Sequence, residues 1–295
     1  MYKTNGKTLI RHLLILLTIF SLASAIIGCQ TSAGAPLPPQ PRLRVATTTS
    51  LYDTGLWGYL EPMFEEQYEV ELDVLYAGTG IALEYGRRGD VDVITVHSKA
   101  REEQFIAEGY SVERVPFAYN YFLIVGPPND PAGIKSMTPE DALTKLFETG
   151  AGNFISRGDD SGTHGKEKAI WKAAGYDYEE VRKAKDRYIE ASRGMGHTLL
   201  MANETQGYTL SDMGTFLSYK GQTSLVPIVD QGSILLNVYS VIAGNAEKNP
   251  NVKGEMAQNM VAFLTSPRIQ ELIGSYGVEE YGLALFTPCA GAEPK

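Results

Sequence analysis

The sequence predicts an α/β fold in two lobes, and three observations predict it. Between residues 43 and 96, short apolar runs alternate with helical periodicity in the order βαβαβ. Two apolar runs, 119–125 and 236–243, bracket the middle of the chain where it would pass from one lobe to the other and back. Two amphipathic helices then close it.

The first 28 residues read as an export signal. Lys3, Lys7 and Arg11 precede an almost wholly apolar stretch over 13–27. That core of about 15 residues is short for a membrane span, which needs roughly 20. It ends at Gly28-Cys29, where a small residue suits cleavage before a cysteine that would then carry lipid. Residues 30–41 hold four prolines among Ser, Ala, Gly and Gln, a composition that builds a tether and not a core. The folded body then begins near Leu43 and runs to Pro288, about 245 residues, enough for one large core or two smaller ones. With Cys29 taken by lipid, Cys289 has no partner for a disulfide.

Along the body, 43–47 is a strand and 55–67 a helix with Leu56, Leu60, Met63 and Phe64 on one face. Strand 70–76, helix 81–88 and strand 91–96 complete a parallel unit with helices on both faces. Strand 119–125 ends at Gly126-Pro127-Pro128, and helix 138–148, strand 153–156 and helix 165–174 follow. Helix 198–206, strand 208–211, short helix 212–217, strand 236–243 and helices 252–264 and 267–276 finish the chain. The expected division is 42–120 and 244–290 for the first lobe, 121–243 for the second, and 291–295 as a tail.

Net charge is −9, and with the signal removed 23 basic residues face 35 acidic ones, giving −12. A chain that binds phosphate backbones needs clustered Lys and Arg, so nucleic acid is excluded. A small anion is not, because a site of neutral donors and one Arg is local. Three hydroxyl-rich or glycine-rich turns supply such donors. Thr47-Thr48-Thr49-Ser50 follows the first strand, Gly78-Thr79-Gly80 the second, and Ser161-Gly162-Thr163 opens a later helix. Helix N-termini offer unpaired N–H groups and partial positive charge, and adjacent hydroxyls add donors without bulk. Arg157, four residues upstream of Ser161, adds a permanently charged fork that matches two oxygens of an oxyanion. The expected contacts are Thr48, Thr49, Ser50, Thr79, Gly80, Arg157, Ser161, Gly162 and Thr163. Asp159 and Asp160 either accept a ligand proton, hold Arg157, or accept N–H groups within their own loop.

The body, 43–290, resembles the tungstate-binding proteins of bacterial and archaeal ABC importers, relatives of the molybdate, sulfate and phosphate receptors. Ala46-Thr47-Thr48-Thr49-Ser50 with Leu56, Tyr76-Ala77-Gly78-Thr79-Gly80, and the run from Ser156 through Arg157 to His164 with Lys166-Glu167 behind carry the resemblance. It implies a two-lobed type II periplasmic-binding-protein fold closing on tungstate. It also implies a membrane permease as partner, an exported and lipid-anchored location, monomeric action, and no enzymatic cofactor. Molybdate is the alternative ligand, then phosphate or sulfate. His97, His164 and His197 have no metal-ligand spacing, so no metal site is expected. A hydrolase built on Ser50 or Ser161 with His164 is the reading of another class, and no Gly-x-Ser-x-Gly elbow supports it. Gly194 to Thr198 is a further donor, a hinge or a turn. Ser211-Asp212 is a cap or a cleft residue, and Trp57 and Trp171 belong to the core.

Overall fold

Strand β1 (Arg42–Thr48) is the centre on which the first lobe is built. Its Val45 and Ala46 enter different hydrophobic clusters, because successive side chains in a strand face opposite ways. Strands β2 (Glu71–Ala77) and β3 (Val93–Val96) flank it in parallel, pairing Val45 with Val74 and with Val93. The computed structural model describes residues 41–294, and the signal segment, Cys29 and residues 30–40 of the tether lie outside them.

Beyond β3 the sheet changes sense. Strand β9 (Leu236–Ala243) runs antiparallel to β3 and to the first half of β4 (Val115–Gly126). The expected parallel unit over 43–96 is present as β1, β2 and β3, and the full sheet is mixed, because β9 enters from the second lobe and meets β3 from the opposite end. The expected division put 236–243 in the second lobe, yet β9 hydrogen-bonds over its length within the first sheet. The second half of β4 pairs with β7 (Thr209–Asp212) and β8 (Val226–Val229). Strands β5 (Phe154–Ser156) and β6 (Tyr188–Glu190) pair in parallel, and a bridge from Phe154 to Tyr208 joins them to β7. Strand β10 (Thr287–Pro288) caps the first sheet beside β4.

Three helices begin where strands end: α1 (Thr49–Asp53), α3 (Thr79–Arg88) and α6 (Gly162–Ala173). The expected helices over 81–88 and 165–174 start later than α3 and α6, the one over 55–67 corresponds to the helix after α1, and α1 itself was not expected, so the hydroxyl-rich turns are first helical turns. Helix α2 (Leu56–Tyr68) buries Leu56, Trp57, Leu60 and Phe64, and Phe64 packs edge-on against Phe263 of α10 (Gly254–Thr265). Helix α4 (Lys99–Ala107), which sequence periodicity did not reveal, buries Phe105 beneath α3 and β3. In the second lobe, α5 (Pro139–Thr149) and α6 enclose Trp171, Phe154 and Tyr208. The short α7 (Tyr178–Val181) and α8 (Met195–Glu204) precede α9 (Met213–Ser218), and α11 (Pro267–Ser275) and α12 (Val278–Tyr281) end the chain. Trp57 and Trp171 are both core residues. Cys289 is a free thiol that burial pushes up to about 11. Among the described residues no helix is long and apolar enough to cross a membrane.

Candidate functional site

The N-termini of α1 and α6 converge on His97, the residue just past the end of β3. A Cβ added to Gly162 would stand 2.7 Å from His97 Cε1, so only glycine fits there. On its other side, His97 Nε2 lies 3.1 Å from Ser50 Oγ. The α3 turn joins the cluster at its edge, where a Cβ at Gly80 would lie 3.5 Å from Asp160 Oδ2. The three turns picked from sequence therefore meet, two from the first lobe and one from the second.

The first turns of α1, α3 and α6 hold no acidic residue, as is also true of α2, α8, α9 and α11, whereas α5, α7 and α12 each hold two. Acidic side chains favour helix N-termini, so their absence at the three that converge leaves that positive end for an anion. The hydroxyls follow the same logic. Thr48 Oγ1 accepts from Leu51 N at 3.2 Å and Ser161 Oγ from His164 N at 3.2 Å. A hydroxyl that caps a helix as acceptor keeps its proton for something else. Thr79 and Thr163, 0 and 1% exposed, have no hydrogen-bond partner for Oγ1 among the described residues. A buried, unpartnered hydroxyl costs about 1–3 kcal/mol, so two of them in converging first turns indicate donors kept for a ligand. Thr49 is half-buried at the start of α1 and makes no side-chain hydrogen bond. Thr47 points into the core, where its hydroxyl accepts from Trp57 Nε1 at 3.0 Å and Thr95 Oγ1 at 2.9 Å.

Arg157, 3% exposed, lies between the lobes. Partial burial raises the Asp53 carboxyl of the first lobe, full burial raises that of Asp212 in the second, and the Arg157 charge opposes both. Its Nε and Nη2 donate to Asp159 Oδ2 at 3.1 and 2.5 Å. Of five guanidinium N–H groups, Nη1 and half of Nη2 stay available. Asp159 also accepts from Ser161 N at 3.2 Å, so it holds both Arg157 and the loop. Asp160 turns away to Arg101 of α4, whose Nη2 lies 2.6 Å from Oδ1, and so links the lobes. Both carboxylates are thus committed to cations.

The loop backbone is braced from behind. Gly158 has φ 59°, and a Cβ there would meet Glu190 Cβ at 2.7 Å. His164 Nδ1 accepts from Asp160 N at 3.0 Å, and its Nε2 meets the Tyr178 hydroxyl. Glu167, fully buried, accepts from Ser156 Oγ at 2.6 Å, Tyr188 OH at 2.5 Å and Trp171 Nε1 at 3.2 Å. Burial pushes its carboxyl up to about 7 despite these donors. Lys166 reaches the Ile234 and Leu236 carbonyls at 2.8 and 2.9 Å, tying α6 to the chain entering β9.

Sequence reasoning passed over His97, Asn237 and Arg101. The one available signal was position: His97 follows β3 as Thr49 follows β1 and Gly78 follows β2, and ligands gather at such strand ends. His97 Nδ1 lies 2.9 Å from Asn237 Oδ1, making a Ser50-His97-Asn237 series. Its residue types suit a hydrolase, its electrostatics do not. Burial, with Arg157 and Lys166 nearby, pushes His97 down to about 4, and Asn237 brings no charge to stabilise an imidazolium. His164 braces the loop and faces no nucleophile. Asp212 caps α9, accepting from Thr215 N at 2.9 Å and Thr215 Oγ1 at 2.7 Å. Thr198 Oγ1 bonds back to the Gly194 carbonyl at 3.1 Å.

Residues 34–268 match the PBP superfamily domain. The chain is 44% identical to the tungstate-binding protein TupA of Peptoclostridium acidaminophilum, over 95% of this chain and 99% of that one. The solved tungstate-binding protein TupA from Desulfovibrio alaskensis G20 superposes with a TM-score of 0.73 at 39% identity, covering 84% of this chain and 99% of that one. The tungstate ABC transporter structure from Geobacter sulfurreducens gives 0.71 at 45%, covering 80 and 98%. A cleft between two α/β lobes, with helix N-termini and one buried arginine turned into it, is thus the arrangement of a chain that belongs to the PBP superfamily and, within it, to the family of the tungstate-binding protein TupA.

Proposed function

We propose that this protein captures tungstate outside the membrane and delivers it to the permease of an ABC importer. The single observation that carries the reading is that Thr79 and Thr163, in the first turns of two helices from different lobes, bury hydroxyls without a partner, while Gly80 of one turn abuts Asp160 of the loop that carries Arg157 and leads into the other. Thr48, Thr49, Ser50, Gly80, Ser161 and Gly162 complete the cradle. A fully deprotonated tetrahedral dianion needs donors only, and the loop carboxylates Asp159 and Asp160 and the capping Asp212 are engaged elsewhere. The preferred order is tungstate, then molybdate, with phosphate poor, since its proton at neutral pH lacks an acceptor at a cost of about 1–3 kcal/mol. Calorimetric titration and thermal melting with tungstate, molybdate, sulfate and phosphate test this. Binding raises Tm by mass action, and four null results would end the receptor reading.

The lobes cross over near residue 121 and, because β9 pairs within the first sheet, near residue 236. The protein works as a monomer and without an enzymatic cofactor. It is exported, cleaved before Cys29 and anchored there by lipid at the outer face of the cell membrane or in the periplasm. A C29A variant is expected in the soluble fraction, and its retention in membranes would refute the anchor. The Ser50-His97-Asn237 geometry favours hydrolysis as a second reading; turnover of an activated ester that S50A abolishes would establish it.

A further inference from the structure

Behind the cradle runs a chain of side-chain amides whose polarity is set at its far end. The Leu285 carbonyl can only accept, so Asn120 presents Nδ2 to it at 3.4 Å. Asn120 Oδ1 then accepts from Asn237 Nδ2 at 2.9 Å, which also meets the Tyr239 hydroxyl at 2.8 Å. Asn237 Oδ1 is left facing His97 Nδ1 at 2.9 Å, so Nδ1 carries a hydrogen. In a neutral imidazole Nε2 is then a bare acceptor, and it faces Ser50 Oγ at 3.1 Å.

Ser50 has one proton. While His97 is neutral that proton goes to Nε2, and the Ser50 oxygen shows only lone pairs, the nearest donor being Thr48 Oγ1 at 3.3 Å. Lone pairs repel an oxyanion. A proton on Nε2 reverses the bond: Ser50 accepts from the imidazolium, and its own O–H turns to the cleft. We infer that His97 takes up a proton from solvent when the oxyanion binds, converting Ser50 from a donor to histidine into a donor to the anion. This rests on the oxyanion-receptor reading and deepens it.

The charges facing His97 fit such a linkage. Arg157, from the loop after β5, and Lys166, from α6, are like charges that resist the proton in the empty cleft. A dianion seated on Arg157 offsets both. In the adjoining cleft Lys99 and Glu293 pair at 3.0 Å, and Glu293 also pairs with Arg114, which is held by the buried Glu102 at 2.7 Å, so the four charges largely cancel. From β9 come the neutral Asn237 and Tyr239, and from β4 only the Phe122 ring. Asp212 lies behind Tyr239, fixed by Thr215.

The test is calorimetric titration of the full-length protein with tungstate in buffers of different ionisation enthalpy, between about pH 6 and 9. Tungstate carries no proton of its own there, so the slope of heat against buffer enthalpy counts protons taken up by protein. Uptake is expected to grow toward one per anion as pH falls, with affinity weakening by up to about tenfold per pH unit on the way up. His97→Gln, whose amide donates permanently to Ser50, should bind without uptake. Ser50→Ala should also lose it, and serves if the Gln variant does not fold. Tungstate binding with zero uptake at every pH, or wild-type uptake in Ser50→Ala, overturns the inference while leaving the receptor reading intact. Absence of tungstate binding in the wild type removes both.

Discussion

Replacing Arg157 by alanine removes a buried cation that carboxylates of both lobes feel. Its guanidinium is anchored through Nε and Nη2 on one oxygen of Asp159, which leaves three N–H groups to meet an anion. Truncating one partner of a desolvated, charge-assisted pair costs about 2–5 kcal/mol. At about 1.4 kcal/mol per factor of ten, R157A should weaken tungstate binding by roughly thirtyfold to a few thousandfold. An arginine serving only as the Asp159 partner predicts a change under about 1 kcal/mol, since Asp159 is 22% exposed and rehydrates easily. R157K should recover part of the loss, because an ammonium cannot reproduce the fork. Calorimetry on R157A, with circular dichroism and thermal melting of the empty protein confirming its fold, decides the matter. Affinity within fivefold of wild type would refute the placement of Arg157 against the ligand.

Thr163→Val removes a buried hydroxyl with no partner, so the empty protein should melt at the same or a higher temperature while tungstate binding weakens by up to about tenfold; lower stability with unchanged affinity would contradict the donor role. R101A cuts the pair to Asp160 that joins the lobes. A partly exposed pair is worth about 0.2–1 kcal/mol, so stopped-flow release of tungstate should speed up by no more than about fivefold, and an unchanged rate would show the pair does not hold the lobes together. Glu167 is held up to about 7 by burial, so the stability it lends is full below the ordinary carboxylate pKa and fades as pH rises through about 7. E167Q should therefore gain stability relative to wild type between about pH 4.5 and 7.5 in denaturant titrations, and a pH-independent difference would remove Glu167 as the cause.

The cleft was legible in the sequence wherever a site residue is also a helix signal. Ser161 and Thr48 announce caps, Gly162 and Gly80 announce close approach, and Arg157 stands beside them, so the turns that converge could be read one at a time. Lost were residues whose role depends on what lies across the fold. His97 is 140 positions from Asn237, and no local pattern pairs them. Asp160 gave no sign of direction, because its partner Arg101 sits on α4, whose apolar face is only Phe105 and the stem of Glu102. The sense of β9 also escaped, since an apolar run buried on both faces reads alike in either direction. The late helix starts have a different origin. Thr, Ser and Gly are weak helix formers, so propensity moved the starts of α3 and α6 past their hydroxyl-bearing first turns and hid the short α1.

The central claim is where the anion sits. Crystals grown with tungstate, measured at the tungsten absorption edge, locate that atom without reference to the protein chain. A single anomalous peak is expected between the lobes, within hydrogen-bonding reach, through its oxygens, of the Arg157 guanidinium, the Gly162 and Thr163 amides and the Thr79 hydroxyl. A peak outside that cradle, or none in crystals soaked at saturating tungstate, would contradict it.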